Sequence, residues 1–207
     1  ALGGTPEAPE MGLISNVRNA TAPRQTVYGT VRKGGVLTYV ETTGGKKNGV
    51  MHQIITLAGH EIDAVEAIYI NDVEVPLSAP GYDVTDPGDA GDRYTGAGWV
   101  LSEKWMEDNA ILEPRIRVLW HRGNQTSASD PFDNDPAATL ANTLHAESEI
   151  LDANFVGRGC AYLYIKMLFD PEVFANGIPL FSARLRGKRI KNLATGATVF
   201  SANAADV

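Results

Sequence analysis

With 207 residues and 43% hydrophobic content, the chain is long enough for one large domain or two small ones, and its 21 glycines and 11 prolines forecast many turns. A formal net charge of −7 argues against a general nucleic-acid-binding surface, and no apolar run approaches the roughly 20 residues that span a membrane. The single cysteine, Cys160, excludes an internal disulfide framework and is expected as a buried thiol, not a nucleophile.

Residues 1–22 carry few large apolar side chains and read as an extended lead-in or linker. The opening ALGGTPEAPEMG has no basic region followed by an apolar core, and it lacks an initiating Met. The expectation is an excerpt from a longer polypeptide.

Residues Arg24 to Thr42, RQTVYGTVRKGGVLTYVET, suggest two strands joined at Lys33-Gly34-Gly35. A Gly34-Gly35 loop pairs Val31 with Thr38, Gly29 with Val40 and Val27 with Thr42. Thr30, Tyr39, Tyr28, Glu41 and Arg32 then fall on the other face. Gly44–Gly49 is a loop and Met51–Ala58 a strand. Gly59–Val65 is a turn carrying His60, Glu61 and Asp63. AIYINDVEV, Ala67–Val75, predicts a hairpin with a primed turn at Asn71-Asp72, Ile70 facing Val73, and Tyr69 sharing the other side with Glu74.

Pro76–Gly98 is polar, with Asp83, Asp86, Asp89 and Asp92 at spacings of three. A calcium loop is worth weighing, but the spacing departs from the EF-hand and no glutamate closes it, so a surface loop is favoured. Trp99–Asn109 suggests a short amphipathic helix. Arg115–His121 is a strand with Ile116, Val118 and Trp120 on one face. Gly123–Asp135 is a second acidic loop. Asp135-Pro136 looks like an N-cap followed by proline, and Ala137, Leu140, Ala141, Leu144, Ser148 and Leu151 follow at helical spacing, predicting one long helix. Gly159–Phe169 is the strongest strand, apolar enough on both sides for a central position or a subunit contact. Leu180–Arg186 is a strand with Phe181, Ala183 and Leu185 inward, and Thr198–Ser201 a short one.

Charge is uneven. Nine acidic residues and Arg93 alone lie between His60 and Tyr94, while Arg184, Arg186, Lys188, Arg189 and Lys191 form a basic run. Two solvated faces would explain this; the sharper hypothesis is that the opposite patches meet between subunits.

The sequence offers little chemistry. His52, His60, His121 and His145 share no metal-ligand spacing, no glycine pair opens a phosphate-binding helix, and there is no nucleophile elbow. His60-Glu61 near Asp63 could pass for an acid–base cluster, but a polar turn between strands is favoured. No catalytic, cofactor-binding or metal-binding residue is expected.

Three stretches resemble the tip attachment protein J family of long-tailed phages, the central tail fibre or tail tip hub proteins. They are PRQTVYGTVRKGGVLTYVET (Pro23–Thr42), MHQIITLAGHEIDAVEAIYINDVEV (Met51–Val75), and GRGCAYLYIKMLFDPEVFANGIPLFSARLRGKRIKN (Gly157–Asn192) continuing to TGATVFSANAAD (Thr195–Asp206). They cover about half the chain, in the family's order and separation. Ala204 stands where the family's closing pattern has proline.

The resemblance implies a β-rich, mainly antiparallel α+β fold with barrel or sandwich elements. It divides the chain into a lead-in (1–22), a hub segment (23–75), a variable insertion with loops, a strand and one long and one short helix (76–151), and a second hub segment (152–207) packing with the first. It implies a virion structural protein without catalysis: a homotrimeric hub at the distal end of the tail tube, assembled in the host cytoplasm. Its partners would be other tail tip and tail tube proteins, with the host receptor bound by regions outside this fragment. Outward aromatics such as Tyr28, Tyr39, Tyr162 and Tyr164 would bury against neighbouring chains. The charge imbalance adds the hypothesis that acidic loops face a lumen through which DNA slides as passing cargo. The alternative class is a receptor- or carbohydrate-binding β-module, suggested by exposed Tyr and Trp beside acidic loops. A cell-wall hydrolase is a third class, for which no motif is present.

Overall fold

Antiparallel pairing organises the chain. The computed structural model describes residues 22–44, 49–85, 93–108, 112–191 and 198–199. In chain order the strands are β1 (Thr30–Lys33), β2 (Val36–Thr43), β3 (Val50–Ala58), β4 (Ala64–Ile70), β5 (Val73–Glu74), β6 (Asp83–Thr85) and β7 (Arg93–Thr95). There follow β8 (Met106–Asp108), β9 (Leu112–Pro114), β10 (Ile116–His121), β11 (Pro131–Phe132), β12 (Asp135–Thr139), the short helix α1 (Leu144–Glu147), β13 (Ala161–Leu168), β14 (Phe181–Arg186), β15 (Ile190–Lys191) and β16 (Thr198–Val199). Two four-stranded sheets dominate, ordered β1-β14-β4-β5 and β10-β13-β3-β2.

Strand alternation builds one core between these sheets. Phe181, Ala183 and Leu185 of β14, with Ile68 and Ile70 of β4, meet Ile55 and Leu57 of β3, Leu163 and Ile165 of β13, and Ile116 and Val118 of β10. Each large side chain so buried contributes on the order of 1.5–3 kcal/mol. The other face of the second sheet makes another core. There Ile54, Leu119, Tyr162 and Tyr164 are covered by Phe132, Ala138, Leu140 and Leu144. β13 therefore serves both cores, which explains why its two faces are apolar.

The Asn71-Asp72 turn forms as the sequence predicts. Ile70 pairs with Val73 and Tyr69 with Glu74, and both turn residues have positive φ, 46° and 68°. The strands at 51–58, 115–121, 159–169 and 180–186 are present within a residue or two of expectation.

Three expectations are corrected. First, β1 and β2 do not pair. Val31 lies opposite Leu185 of β14, and Val40 opposite Gln53 of β3. Gly35, at φ +69°, sits where an added Cβ would come 2.6 Å from the Thr56 carbonyl oxygen. The glycine pair thus carries the chain from one sheet to the other. A lone two-stranded ribbon buries little, whereas each half here joins a strand rich in buried apolar residues.

Second, the long helix over 137–151 is absent. β12 occupies Asp135–Thr139, and only Leu144–Glu147 is α-helical. Asp135 does accept from the Ala137 N–H at 3.0 Å, as a cap would, but its other oxygen is held by the Ala97 N–H at 2.8 Å and Arg117 at 2.7 Å. Those ties fix the segment extended beside β11, and Ala138, Leu140 and Leu144 reach the second core from it. Third, the short helix over 99–109 is a single 3-10 turn, Glu103–Trp105, followed by β8. Trp99 instead bridges Arg117, and the Val100 N–H donates to the Ile116 carbonyl, extending the second sheet.

Candidate functional site

The outer face of the first sheet is polar because alternation sends Thr30, Arg32, Ser182, Arg184, Arg186 and Tyr69 away from the core. Arg32 anchors one end. Its Nη2 lies 2.6 Å from Asp72 Oδ1, its Nε donates to Ser182 Oγ at 3.2 Å, and its guanidinium stands 4.1 Å over the Tyr69 ring. At the other end Arg184 meets Glu66 at 3.2 Å and Arg186 meets Asp63 at 2.8 Å. Arg189 also pairs with Asp63, whose side chain is almost fully buried. Burial, helped by the hydrogen bond that the Tyr69 hydroxyl donates to Glu74, raises the Tyr69 hydroxyl pKa.

Part of the two charge patches meets within one chain. Asp63 and Glu66 of the acidic stretch are already neutralised by Arg184, Arg186 and Arg189 of the basic run within one chain. Of the evenly spaced aspartates only Asp83 lies within the described residues, in β6; Asp86, Asp89 and Asp92 lie outside them. No group of three or more potential metal ligands is gathered among the described residues.

His60 and Glu61 are joined by their backbone roles. Val27 N–H donates to His60 Nε2 at 2.8 Å, and Nδ1 donates to the Glu61 carbonyl at 2.7 Å. With both ring nitrogens so used, His60 ties the segment preceding β1 to the turn, and Asp63 faces the arginines instead. Cys160 is half-buried just before β13, not buried within it.

Tyr162 and Tyr164 are corrected too. Both are buried inside their own chain, and burial drives both hydroxyl pKa values far up. Tyr164 donates or accepts at His52 Nδ1, 3.0 Å away, while Thr43 Oγ1 holds Nε2 at 2.8 Å. Burial pushes the His52 pKa down; Glu147, 3.6 Å from Nε2 and paired with Lys166 at 2.6 Å, opposes this only in part. Tyr39 is half-buried and joins Ser148 in hydrogen bonding to Glu41. Tyr28 alone of the four is strongly exposed, at 60%.

An apolar patch is exposed at the tip of the β4–β5 hairpin. The Asn71 N–H donates to the Leu180 carbonyl at 2.9 Å, and Leu180 N–H returns a bond to Asn71 Oδ1 at 2.9 Å. This brings Leu180 to the hairpin that carries Val73, and both, like Ile178 two residues before Leu180, are 50–61% exposed. Sequence periodicity missed this grouping, because it depends on a contact across 109 residues. The turn signal at Asn71-Asp72 and the outward position of Val73 in a two-residue edge strand were its only local marks.

No family model and no curated protein matches the chain. Among solved structures it is similar to a chain from the virion of a native gene transfer agent particle, at a TM-score of 0.42 and 12% identity. That alignment covers 87% of this chain but 30% of the other, so the chain spans under a third of the neighbour's length.

Proposed function

We propose that this chain is a structural module of a phage tail tip hub, acting by assembly and not by catalysis. The observation that carries the proposal is where the three hub-like stretches fall. Pro23–Thr42 contains β1 and nearly all of β2; Met51–Val75 contains β4, β5 and all but the first residue of β3; Gly157–Asn192 contains β13 and β14. Together they supply seven of the eight strands in the two main sheets, β10 being the exception. The resemblance therefore follows the segments that make the shared core and not scattered loops.

In this reading the full-length protein is a homotrimer at the distal end of the tail tube, contacting tail tube and tail tip neighbours, with receptor binding left to other regions. The exposed apolar tip formed by Val73, Ile178 and Leu180 is the surface offered to a neighbouring subunit, since contiguous exposed apolar groups mark interaction sites. The glycan-binding alternative relied on exposed Trp and Tyr; Trp99 and Trp105 are buried and Trp120 is half-buried.

Cryo-electron microscopy of virions carrying the full-length protein tests the proposal. Density for these two sheets repeated about the threefold axis at the tail end is the expected result. Density elsewhere on the particle overturns it. Val73→Asp with Leu180→Asp should leave the melting temperature of the fragment unchanged yet remove tips from assembled particles; tips of normal abundance would rule out that surface.

A further inference from the structure

A cavity of about 660 Å³ lies where Lys33, the start of β2 and the end of β3 meet the chain leading into β13. Its size falls in the range of small-molecule sites. Leu37, Leu57 and Phe155 give it apolar walls, while Lys33, Arg24 and Arg158 supply three cations. No Asp or Glu lines it among the described residues, in a chain whose net charge is −7.

Lys33 is the unusual member. Strand alternation turns it to the same side as Val31, and it pairs with Ala183, which is fully buried. Only 6% of Lys33 is exposed, and burial lowers its pKa with no carboxylate among the described residues beside it to offset the cost. A cation so largely withdrawn from water is costly, and an anion entering the cavity would offset that cost. Arg24 and Arg158 are exposed, and Arg158 is steadied by donating to the Thr126 carbonyl at 2.9 Å. They flank the cavity as an entry field of positive sign.

We infer that this cavity binds an organic anion, with a carboxylate paired to Lys33 and an apolar body against Leu37, Leu57 and Phe155. The site is independent of the hub assignment, because it uses neither the hairpin tip nor any subunit contact.

Decanoate is the test probe, with decanol as its neutral counterpart and inorganic phosphate as an anion without a body. Calorimetric titration of the folded chain should show decanoate binding at least tenfold tighter than decanol or phosphate. Methyl chemical-shift changes should centre on Leu37 and Leu57. Lys33→Met should weaken decanoate at least tenfold, leave decanol unchanged, and melt at or above the wild-type temperature without ligand. Equal affinity for decanoate and decanol, equal affinity for phosphate, shifts centred elsewhere, or full decanoate binding by Lys33→Met would each overturn the site. So would absence of decanoate binding at millimolar concentration. The wild-type titration and shifts decide the matter even if the variant fails to fold.

Discussion

The Tyr164 hydroxyl lies 3.0 Å from His52 Nδ1 at a point where neither ring reaches water. Thr43 completes the other side of the imidazole, so the ring is satisfied while neutral. Two hydroxyls can serve either tautomer, and Glu147, 3.6 Å from Nε2 but paired with Lys166, offsets only part of the cost of burying an imidazolium.

This arrangement predicts acid sensitivity. His52 and His121 both have pKa values pushed below 6.5 by burial in the folded chain. The unfolded chain therefore binds protons first as pH falls. Stability from these groups is full above about pH 6.5 and declines as pH drops towards their folded values, by up to about 1.4 kcal/mol per pH unit for each group. Thermal melts between pH 8 and pH 5 should show the decline, and His52→Gln should make it shallower, leaving the share of His121. A wild-type melting temperature constant over that interval would contradict the assignment.

Arg117 and Asp135 form a second buried pair, 2.7 Å apart with side chains 15% and 2% exposed. Asp135→Asn leaves the Arg117 cation without its counter-charge. The expected loss is about 3 kcal/mol or more in denaturant unfolding. Arg117→Met combined with Asp135→Asn should recover part of it, because no charge is then stranded. A double variant as weak as the sum of the single ones would show that the pair is not coupled.

The crossover at Gly35 is expected to tolerate no side chain. Its φ of +69° is unfavourable for other residues, and an added Cβ would also lie 2.7 Å from Ile55 Cγ2. Gly35→Ala should cost about 2 kcal/mol or more, combining left-handed strain with overpacking. A melting temperature within about 2 °C of wild type would mean that the chain does not cross between sheets there.

Asn71 and Asp72 share a turn but differ in what they hold. Asn71→Ala strains a residue at φ 46° and removes the acceptor of the Leu180 N–H, so a loss of about 1–2 kcal/mol is expected. Asp72→Gly relieves φ 68° and loses only a surface pair with Arg32, its own side chain 65% exposed, so a net change within about 1 kcal/mol is expected. Equal effects in urea unfolding would refute this division.

Local signals were read well where local physics decides. Alternation located β3, β10, β13 and β14, and the Asn-Asp pair located the hairpin. Failure came where a distant partner overrode a local pattern. Gly34-Gly35 has the chemistry of a tight turn, yet β14 and β3 offer its flanking strands better partners. The 137–151 stripe has helical spacing, yet Asp135 is claimed by Ala97 and Arg117. The acidic and basic runs were visible as runs, but nothing in their spacing shows that Asp63 meets Arg186 and Arg189 in the same chain. The sequence places Lys33 in the turn, whereas the structure makes it the last residue of β1, paired with Ala183.

The pairing of β1 with β14 also bears on how the protein is made. Arg32 reaches Ser182, 150 residues later, and the ladder beside it joins Thr30 to Arg186. A nascent chain leaving the ribosome thus holds β1 without its β14 partner until some 150 further residues have been translated. Such late closure makes for slow maturation and leaves an open edge on prematurely terminated products, which would be targets for chaperones or proteases.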